Sequence, residues 1–448
     1  MTHQSIFKGL ESAVRSYCRK TPNLFVTARE ARVWDANGVE FIDFLSSCGS
    51  LNYGHNHPAL KQAVIEYLAN DGIGNALDFH TEAKLKFIAR FSEVLLKPKG
   101  LPYLLQFTGP TGANCVEAAL KLARKFTGRY NVAAFTNAFH GMSTGALATT
   151  GSRLARRASE VGLQGVIRLP FDGYRGAGLP ELDRFADMAQ DPSGGIDPLA
   201  AIIVETVQGE GGLNVASTAW LRKLREVASA LGALLIVDDI QAGCGRTGEF
   251  FSFERAGILP DLVCLSKSLS GFGLPMSLLL IVPAFDVWKP AEDNGTFRGN
   301  SLAFVTATKT LDFWQEPDFV ESIAQRSRIL DDWNNEMVAT FPDVISRKKG
   351  LGMMAGVEFI SPQCAKSAAG FARDRRLLIE RCGPRDEVVK VFAPINIDCD
   401  LLSEGLKRLS SAIEQTAMLA PARALPFGSL KKRTLGGNAI ALEVPVRT

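Results

Sequence analysis

The feature that most constrains the fold is a series of short apolar runs that alternate with helix-like stretches in the middle of the chain. The runs are rich in Leu, Val, Ile and Ala and are too short to be helices. Trp220–Leu231, which lies between two of them, has the apolar spacing of a helix. Buried apolar strands separated by helices are typical of an α/β fold, in which helices cover both faces of a mostly parallel sheet. The predicted strands are Leu104–Thr108, Val132–Phe135, Ala201–Glu205, Leu234–Asp238 and Leu262–Leu265.

A different pattern at the two ends of the chain predicts a second, smaller α+β domain, and 448 residues are enough for two cores. After Asn300 a long helical region precedes two strand-like segments, Gly352–Phe359 and Val388–Phe392, and a helix at Leu401–Leu419. We predict that residues 1–57 form the N-terminal part of the small domain, 58–318 the large domain and 319–420 the C-terminal part of the small domain. Residues 421–448 are an extension to which we assign no role.

Charge and composition argue against several classes of protein. The 50 Lys and Arg residues nearly balance 47 Asp and Glu, and the densest basic run, Arg347–Lys349, is short, which favours a solvated surface over nucleic-acid binding. No stretch reaches the roughly 18 apolar residues of a membrane span. The eight cysteines contain no Cys-x-x-Cys pair and the five histidines have no zinc-ligand spacing. We therefore expect a cytoplasmic protein without a metal site.

Three polar groups stand at the ends of predicted strands. Asp238 ends one buried strand and Lys267 follows another, at the edge where open α/β sheets bind ligands. Thr108–Asn114 joins a strand to a helix through small residues, and such a helix N-terminus can bind phosphate. Each has an ordinary alternative: a polar strand end, a lysine that reaches water and a tight turn. Together they are the groups that pyridoxal 5′-phosphate needs, namely a phosphate site, a carboxylate for the ring nitrogen and an amine for the aldehyde.

Several further blocks occur in an order that resembles the class III (ω-type) aminotransferases of fold type I, a family of pyridoxal-phosphate enzymes. The resemblance covers about residues 10–420. The matching blocks are Gly54–Pro58, Thr111–Arg124, Phe139–Gly141, Glu205–Gly212 with Thr206 in place of the usual Pro, Asp238–Gln241, Gly245–Gly248, Pro260–Asp261, Thr296–Asn300, Gly350–Met353 and Gly356–Glu358.

The resemblance implies the roles of the cofactor site. Lys267 would bind the cofactor aldehyde as a Schiff base in a ping-pong reaction, and Asp238 would pair with the pyridinium N–H. Phe139 would stack on the ring, and Gln241 would hydrogen-bond its hydroxyl oxygen. Thr296 would reach the phosphate of the neighbouring subunit, which implies a homodimer. The other implied cofactor-binding residues are Gly112, Ala113, Asn114, His140 and Glu205.

Two positions at which the family often has an arginine differ in this chain. Met142 follows the Phe-His-Gly block, where an arginine would bind a substrate carboxylate. Lys390 stands where a second arginine would pair with Glu210, and lysine is a point charge rather than a planar fork. The alternative interpretation of Lys390 is a solvated strand residue. Cys48 lies where an aromatic substrate contact is common, so we predict Cys48, Met142, Glu210 and Lys390 as substrate contacts.

The departures themselves resemble the diaminobutyrate–2-oxoglutarate branch of the family. This resemblance implies amino transfer from L-glutamate to L-aspartate 4-semialdehyde, which yields 2-oxoglutarate and L-2,4-diaminobutyrate. The alternatives are another ω-aminotransferase, of the ornithine, 4-aminobutyrate or polyamine type, and a non-catalytic scaffold. The blocks that carry the resemblance are Val14–Arg19, Leu51–His55, Phe107–Gly112, His140–Met142, Asp238–Gln241 and Gly295–Asn300.

Overall fold

A computed structural model describes residues 3–157 and 162–420 of the chain, so the extension at 421–448 lies outside the described residues. The helices of the described part are α1 (His3–Leu10), α2 (Tyr17–Lys20), α3 (Ser46–Gly49), α4 (Pro58–Ala69), α5 (Glu82–Phe91), α6 (Gly112–Thr127), α7 (Thr144–Thr149), α8 (Arg153–Arg156), α9 (Leu179–Gln190), α10 (Thr218–Ala230), α11 (Ser301–Phe313), α12 (Pro317–Thr340), α13 (Pro362–Asp374) and α14 (Cys399–Leu419). Its strands are β1 (Phe25–Arg29), β2 (Arg32–Asp35), β3 (Glu40–Asp43), β4 (Leu104–Phe107), β5 (Asn131–Phe135), β6 (Val166–Leu169), β7 (Leu199–Val204), β8 (Val207–Gln208), β9 (Asn214–Val215), β10 (Leu234–Asp238), β11 (Leu262–Leu265), β12 (Leu278–Ile281), β13 (Ile345–Leu351), β14 (Met354–Phe359), β15 (Leu377–Leu378), β16 (Glu380–Cys382) and β17 (Val388–Val391).

The main sheet of the described residues has seven strands in the order β4-β12-β11-β10-β7-β5-β6. Neighbouring strands from β11 to β6 run parallel, whereas β12 runs antiparallel to both β11 and β4. The predicted mostly parallel α/β sheet is therefore confirmed. Because parallel strands need a crossover between them, helices such as α10, which precedes β10, lie between strands in the chain and cover the sheet.

Both faces of this sheet are buried, which explains the continuous apolar runs of its strands. On β10, Leu235 and Val237 belong to one hydrophobic cluster, together with Trp220 of α10. Leu234 and Ile236 point to the opposite face and belong to a second cluster that contains much of α6. A strand with solvent on one face would instead alternate apolar and polar residues.

A separate hydrophobic cluster joins the two ends of the chain. It contains Ile42 and Phe44 near the N-terminus and Leu402 and Leu406 of α14. Strand β15 pairs parallel with β3, and the antiparallel sheet β13-β14-β17-β16 packs in the same region. The N-terminal strands and the C-terminal helices therefore share one core. No helix among the described residues has the length and hydropathy to cross a membrane.

Arg246, of the Gly-Arg-Thr-Gly block, connects the main sheet to the second core. Its side chain is fully buried and donates hydrogen bonds to Asn52 Oδ1 at 2.7 Å and to the Met353 carbonyl at 3.3 Å. It also bonds to the Ala393 carbonyl, and its guanidinium lies 4.5 Å from the centre of the Phe392 ring. The buried cation thus holds together three segments that surround the functional site.

Candidate active site

Asp238 and Lys267 lie at the carboxyl ends of two adjacent parallel strands. Asp238 is the last residue of β10 and pairs in register with Cys264 of β11, three positions before Lys267. Asp238 is only 4% exposed. Lys267 has a φ of +48°, a left-handed conformation that is costly for a residue with a side chain. Such strain persists only where the surrounding structure holds it, and it is concentrated at functional sites.

Asp238 is held by hydrogen bonds that leave part of its carboxylate free. His140 Nδ1 lies 2.7 Å from Asp238 Oδ2, and the backbone N–H of Ile240 donates to Oδ1 at 3.2 Å. The His140 side chain is fully buried, and its Nε2 has no hydrogen-bond partner within the described ranges. A carboxylate offers about four acceptor positions, so Asp238 can still accept from a further donor.

A small cavity, about 160 Å³ in volume, opens beside these two residues. Helix α6 begins at its edge with Gly112, after Thr111 caps the helix by accepting from the Asn114 N–H at 3.3 Å. A Cβ on Gly112 would come within 2.9 Å of Ile240 Cδ1. A side chain at this position would therefore have to displace Ile240, and glycine leaves the first turn of α6 uncovered beside the cavity. The lining residues are Gly112, Ala113, Phe139, His140, Gly141, Glu205, Glu210, Asp238, Ile240, Gln241 and Lys267.

Glu205 organises the loop on one side of the cavity. Its carboxylate accepts the backbone N–H of Phe139 at 2.9 Å and that of Gly209 at 3.2 Å. Burial, with a further contribution from the nearby Asp238, raises the pKa of Glu205 to about 7, although His140 opposes the shift. Glu205 therefore gains a proton close to neutral pH, which lowers the negative charge around Asp238.

Gln241 lines the cavity and has an unpaired amide oxygen. Its Nε2 donates to the Cys48 carbonyl and to Glu210 Oε1, both at 3.2 Å. Its Oε1 is buried and has no hydrogen-bond partner among the residues described. A Cβ on Gly209 would lie 1.6 Å from this oxygen, so only glycine leaves room for it. A buried polar atom without a partner is rare and suits a site that binds a ligand donor.

Lys390 lies in β17 between two carboxylates and is not a solvated strand residue. Its side chain has no exposed surface, its Nζ lies 2.9 Å from Glu210 Oε1, and it lies 3.2 Å from Glu380 Oε2. Glu380 lies directly opposite Lys390 in the antiparallel pairing of β16 and β17. Although burial opposes the shift, the charges of Lys390 and Lys267 lower the pKa of Glu210 to about 2. Glu210 is therefore ionised at neutral pH.

Tyr17 and Cys48 extend this charged group towards the surface. The Tyr17 hydroxyl donates to Glu380 Oε1 at 2.8 Å and lies 2.9 Å from Cys48 Sγ. Burial and the neighbouring Glu380 carboxylate raise the pKa values of the Tyr17 hydroxyl and the Cys48 thiol, which keeps both groups neutral. Cys48 has a φ of +59°, in a left-handed stretch that begins at Ser46.

Three of the predicted site residues lie away from the cavity. Met142 follows Gly141 of the cavity lining but is not itself a lining residue, and it is 53% exposed. Asn114 and Thr296 line a neighbouring open cavity, together with Gly109 and Pro110. The structure thus groups most of the predicted cofactor residues in one place, with Cys48 and Lys390 beside them, and places these three outside it.

Glu380 and Tyr17 are two residues of the site that the sequence did not predict. Tyr17 is 363 positions from Glu380 in the chain, and no motif links them. Glu380 precedes Arg381 and Cys382 in a short strand whose register cannot be read from hydropathy, because a shift of one residue would turn Glu380 to the other face.

Comparisons with known proteins place this geometry in a family. The family model for class-III aminotransferases matches residues 16–413. The chain is 52% identical over 402 residues to diaminobutyrate–2-oxoglutarate transaminase of Vibrio cholerae, and the match covers 90% of this chain and 97% of that protein. It is 46% identical over 413 residues to the transaminase of the same name from Halalkalibacterium halodurans, and this match covers 92% of this chain and 97% of that protein.

Solved structures of transaminases share the fold. An ornithine aminotransferase from Toxoplasma gondii superposes with a TM-score of 0.78 and 24% identity, and the match covers 93% of this chain and 95% of that one. An S-selective transaminase from an Arthrobacter species gives a TM-score of 0.81 at 20% identity, with coverages of 93% and 97%. At these identities the likeness is one of fold.

Proposed function

The chain belongs to the class-III aminotransferases, and on that premise we propose that it transfers the amino group of L-glutamate to L-aspartate 4-semialdehyde, with 2-oxoglutarate and L-2,4-diaminobutyrate as products. For the reaction type, the supporting observation is the pair Asp238 and Lys267 at adjacent strand ends beside a helix N-terminus. For the substrates, support comes from relatives 46–52% identical to this chain that are named diaminobutyrate–2-oxoglutarate transaminases.

The residues around the cavity fit pyridoxal 5′-phosphate. The N-terminus of α6 at Gly112 and Ala113 suits its phosphate, and the remaining acceptor capacity of Asp238 suits a protonated ring nitrogen. The unpaired Oε1 of Gln241 suits the ring hydroxyl. Phe139 lines the same cavity and can cover a ring face. Each polar part of the cofactor therefore has a residue of matching chemistry.

The chemistry divides between the cofactor and the chain. When bound, pyridoxal phosphate withdraws electrons from the carbon that bears the amino group, so that a proton can leave it. Lys267 Nζ would be the base that takes this proton and the acid that gives it back. Asp238 would keep the ring nitrogen protonated, and its orientation is held by His140 and by the N–H of Ile240. Glu205 keeps Phe139 in position through its backbone N–H.

We propose that the charged groups next to the cavity, Lys390 and Glu210, recognise glutamate. Lys390 supplies the buried cation that a substrate carboxylate needs, and Glu210 holds it while the site is empty. A point charge accepts a carboxylate from several directions, unlike the planar fork of arginine. Cys48 leaves space where an aromatic contact is common in the family.

The test is product identification with the purified, cofactor-loaded enzyme. Incubation with L-glutamate and L-aspartate 4-semialdehyde should give equimolar 2-oxoglutarate and L-2,4-diaminobutyrate, measured by chromatography and mass spectrometry. L-Ornithine, 4-aminobutyrate and L-alanine serve as comparison donors, and Lys267→Ala is the inactive control. If glutamate does not discharge the absorbance band of the loaded enzyme while one of the other donors does, the assignment of the donor is wrong.

A shared site in a homodimer is part of the proposal. Thr296 is exposed and lies outside the Lys267 cavity of its own chain, which is the placement expected of a residue that contacts the phosphate of a neighbouring chain. Chains that carry Thr296→Ala alone and chains that carry Lys267→Ala alone should regain activity when they are mixed and reassociated, because one site of the mixed dimer then has both native residues. Activity that stays at the level of the separate variants would contradict shared sites.

A further inference from the structure

Two carboxylates share the ammonium group of Lys390. Its Nζ lies within 3.2 Å of both Glu210 and Glu380, and the charge of Lys267 also acts on Glu210. The neighbouring hydroxyl of Tyr17 and thiol of Cys48 stay neutral because their pKa values are raised. Buried carboxylates are costly unless each is compensated by a positive charge or by hydrogen bonds. Glu380 shares its cation with Glu210 and therefore has no cation of its own within the cluster.

Glu380 is the carboxylate whose capacity is left unused. It is 7% exposed, and its Oε1 accepts the Tyr17 hydroxyl at 2.8 Å. Its Oε2 is buried and lies 3.2 Å from Lys390 Nζ, yet the geometry makes no hydrogen bond, so this oxygen has no hydrogen-bond partner among the described residues. Glu210, by contrast, accepts from both Lys390 and Gln241.

Glu380 also lies next to residues that line the Lys267 cavity. Glu210 lines that cavity, and Glu210 Oε1 and Glu380 Oε2 contact the same Lys390 Nζ, at 2.9 and 3.2 Å. Gln241 lines it too, and Cys48 lies between Gln241 and Tyr17, because its carbonyl accepts from Gln241 and its Sγ lies 2.9 Å from the Tyr17 hydroxyl. Tyr17 and Glu380 also line a separate, wider cleft of about 520 Å³. The pair therefore belongs to the layer of polar groups next to the Lys267 cavity.

We propose that Glu380, together with the Tyr17 hydroxyl, binds the α-ammonium group of the four-carbon substrate and so determines specificity in that half of the reaction. The inference rests on the proposed function, in which L-2,4-diaminobutyrate and L-aspartate 4-semialdehyde react at C4 and keep a cationic α-amine at the far end. L-Glutamate reacts through its only amine and has a carboxylate at its far end. Glu380 therefore serves one half-reaction, and Lys390, which contacts both carboxylates, serves the other.

Glu380 could instead serve only to neutralise Lys390, and the α-nitrogen of the substrate tells the two roles apart. Acetylation of that nitrogen removes its positive charge and leaves the reacting 4-amine intact. The experiment follows single turnovers of the loaded enzyme by absorbance with L-2,4-diaminobutyrate, its N2-acetyl derivative and L-glutamate. The dependence of the rate on amine concentration also yields a dissociation constant for each amine.

The native enzyme should prefer the free diamine to the acetylated one. In Glu380→Gln, the ratio of the maximal single-turnover rate to the dissociation constant of the free diamine should fall by about 10- to 100-fold, the usual loss for a hydrogen bond to a charged group. The values for the acetylated amine and for glutamate should change little, so the preference disappears. Tyr17→Phe, at a residue that is 49% exposed, should move the preference in the same direction by a smaller factor. Glu358→Gln, in β14 with its carboxylate on Arg347, is the control and should change nothing.

The outcomes separate the two proposals. A native enzyme that reacts with glutamate but not with diaminobutyrate refutes the proposed function, and this inference with it. A native enzyme that reacts with diaminobutyrate and keeps its preference after Glu380→Gln overturns this inference alone. Equal losses for all three amines in both Glu380→Gln and Tyr17→Phe would show that Glu380 is only a structural partner of Lys390, which also overturns it.

Discussion

Replacement of Lys390 by methionine should destabilise the protein strongly, because it removes one partner of a buried charge cluster. Lys390 has no exposed surface and lies within 3.2 Å of Glu210 and Glu380. Removal of one member of a buried ion pair costs about 3–5 kcal/mol. With an unfolding entropy of about 2.1 cal/mol/K per residue, a chain of 448 residues should lose about 3–5 °C in its midpoint of thermal unfolding.

The loss should depend on pH in a direction that the structure defines. Lys390 and Lys267 lower the pKa of Glu210 to about 2 against the effect of burial, so its ionised form stabilises the native fold above its ordinary pKa of about 4.5. That contribution disappears as the pH falls towards 2. In Lys390→Met, burial favours the protonated form of Glu210 and only Lys267 opposes this effect. Protonation of Glu210 then relieves its repulsion with the Glu380 carboxylate. The difference between native and variant midpoints should therefore be larger at pH 8 than at pH 5.

The assay is thermal unfolding followed by circular dichroism, for the loaded and the cofactor-free protein. Lys348→Met is the matched control, because Lys348 pairs with Asp331 on the surface and such pairs contribute below about 1 kcal/mol. Combination of Lys390→Met with Glu210→Gln and Glu380→Gln should recover much of the loss. An unchanged midpoint at pH 8, or no recovery in the triple variant, would refute the interpretation that Lys390 compensates both carboxyl groups of this cluster.

Three further results are expected. Gly209→Ala should weaken cofactor affinity by about tenfold in a titration of the cofactor-free protein, because the added Cβ displaces Gln241 Oε1. Gly9→Ala is the control, since a Cβ there meets nothing, and equal affinities in the two variants would contradict the prediction. Burial raises the pKa of Asp239 to about 7, so ionisation of this group destabilises the fold as the pH rises from about 4 through 7. Asp239→Asn should therefore show a smaller fall in melting midpoint between pH 5 and 7 than the native protein, and equal slopes would be evidence against the shift. Asp238→Asn should keep the cofactor on Lys267 but slow the glutamate half-reaction by about 100- to 1,000-fold, measured by stopped-flow absorbance. A rate within threefold of that of the native enzyme would exclude an electrostatic role of Asp238.

The strands at the centre of the molecule were readable from the sequence because they are buried on both faces. β10 and β11 have the predicted bounds, Leu234–Asp238 and Leu262–Leu265. Composition alone identifies such runs, and the polar residue that ends each one locates the site. Composition does not predict the direction of a strand. β12, Leu278–Ile281, is as apolar as its neighbour β11 and yet runs antiparallel to it.

The contacts of Lys390 show what the sequence could not provide. The pairing of Lys390 with Glu210 was anticipated from the family resemblance, whereas Glu380 comes opposite Lys390 through the register of two short strands. Tyr17 reaches the same carboxylate from the other end of the chain. Register and long-range packing depend on the whole fold, so a local pattern of residue types does not reveal them. The roles of the site residues and the domain boundaries stay predictions.

The left-handed backbone of Lys267 also shows what the placement of this amine costs the fold. Its φ of +48° lies between a buried strand, β11, and a short 3₁₀ turn, Lys267–Ser270. A non-glycine residue in this conformation costs about 1–3 kcal/mol and keeps it only where the surrounding structure holds it. The fold therefore gives up part of its stability to fix the direction in which the Lys267 side chain leaves the sheet.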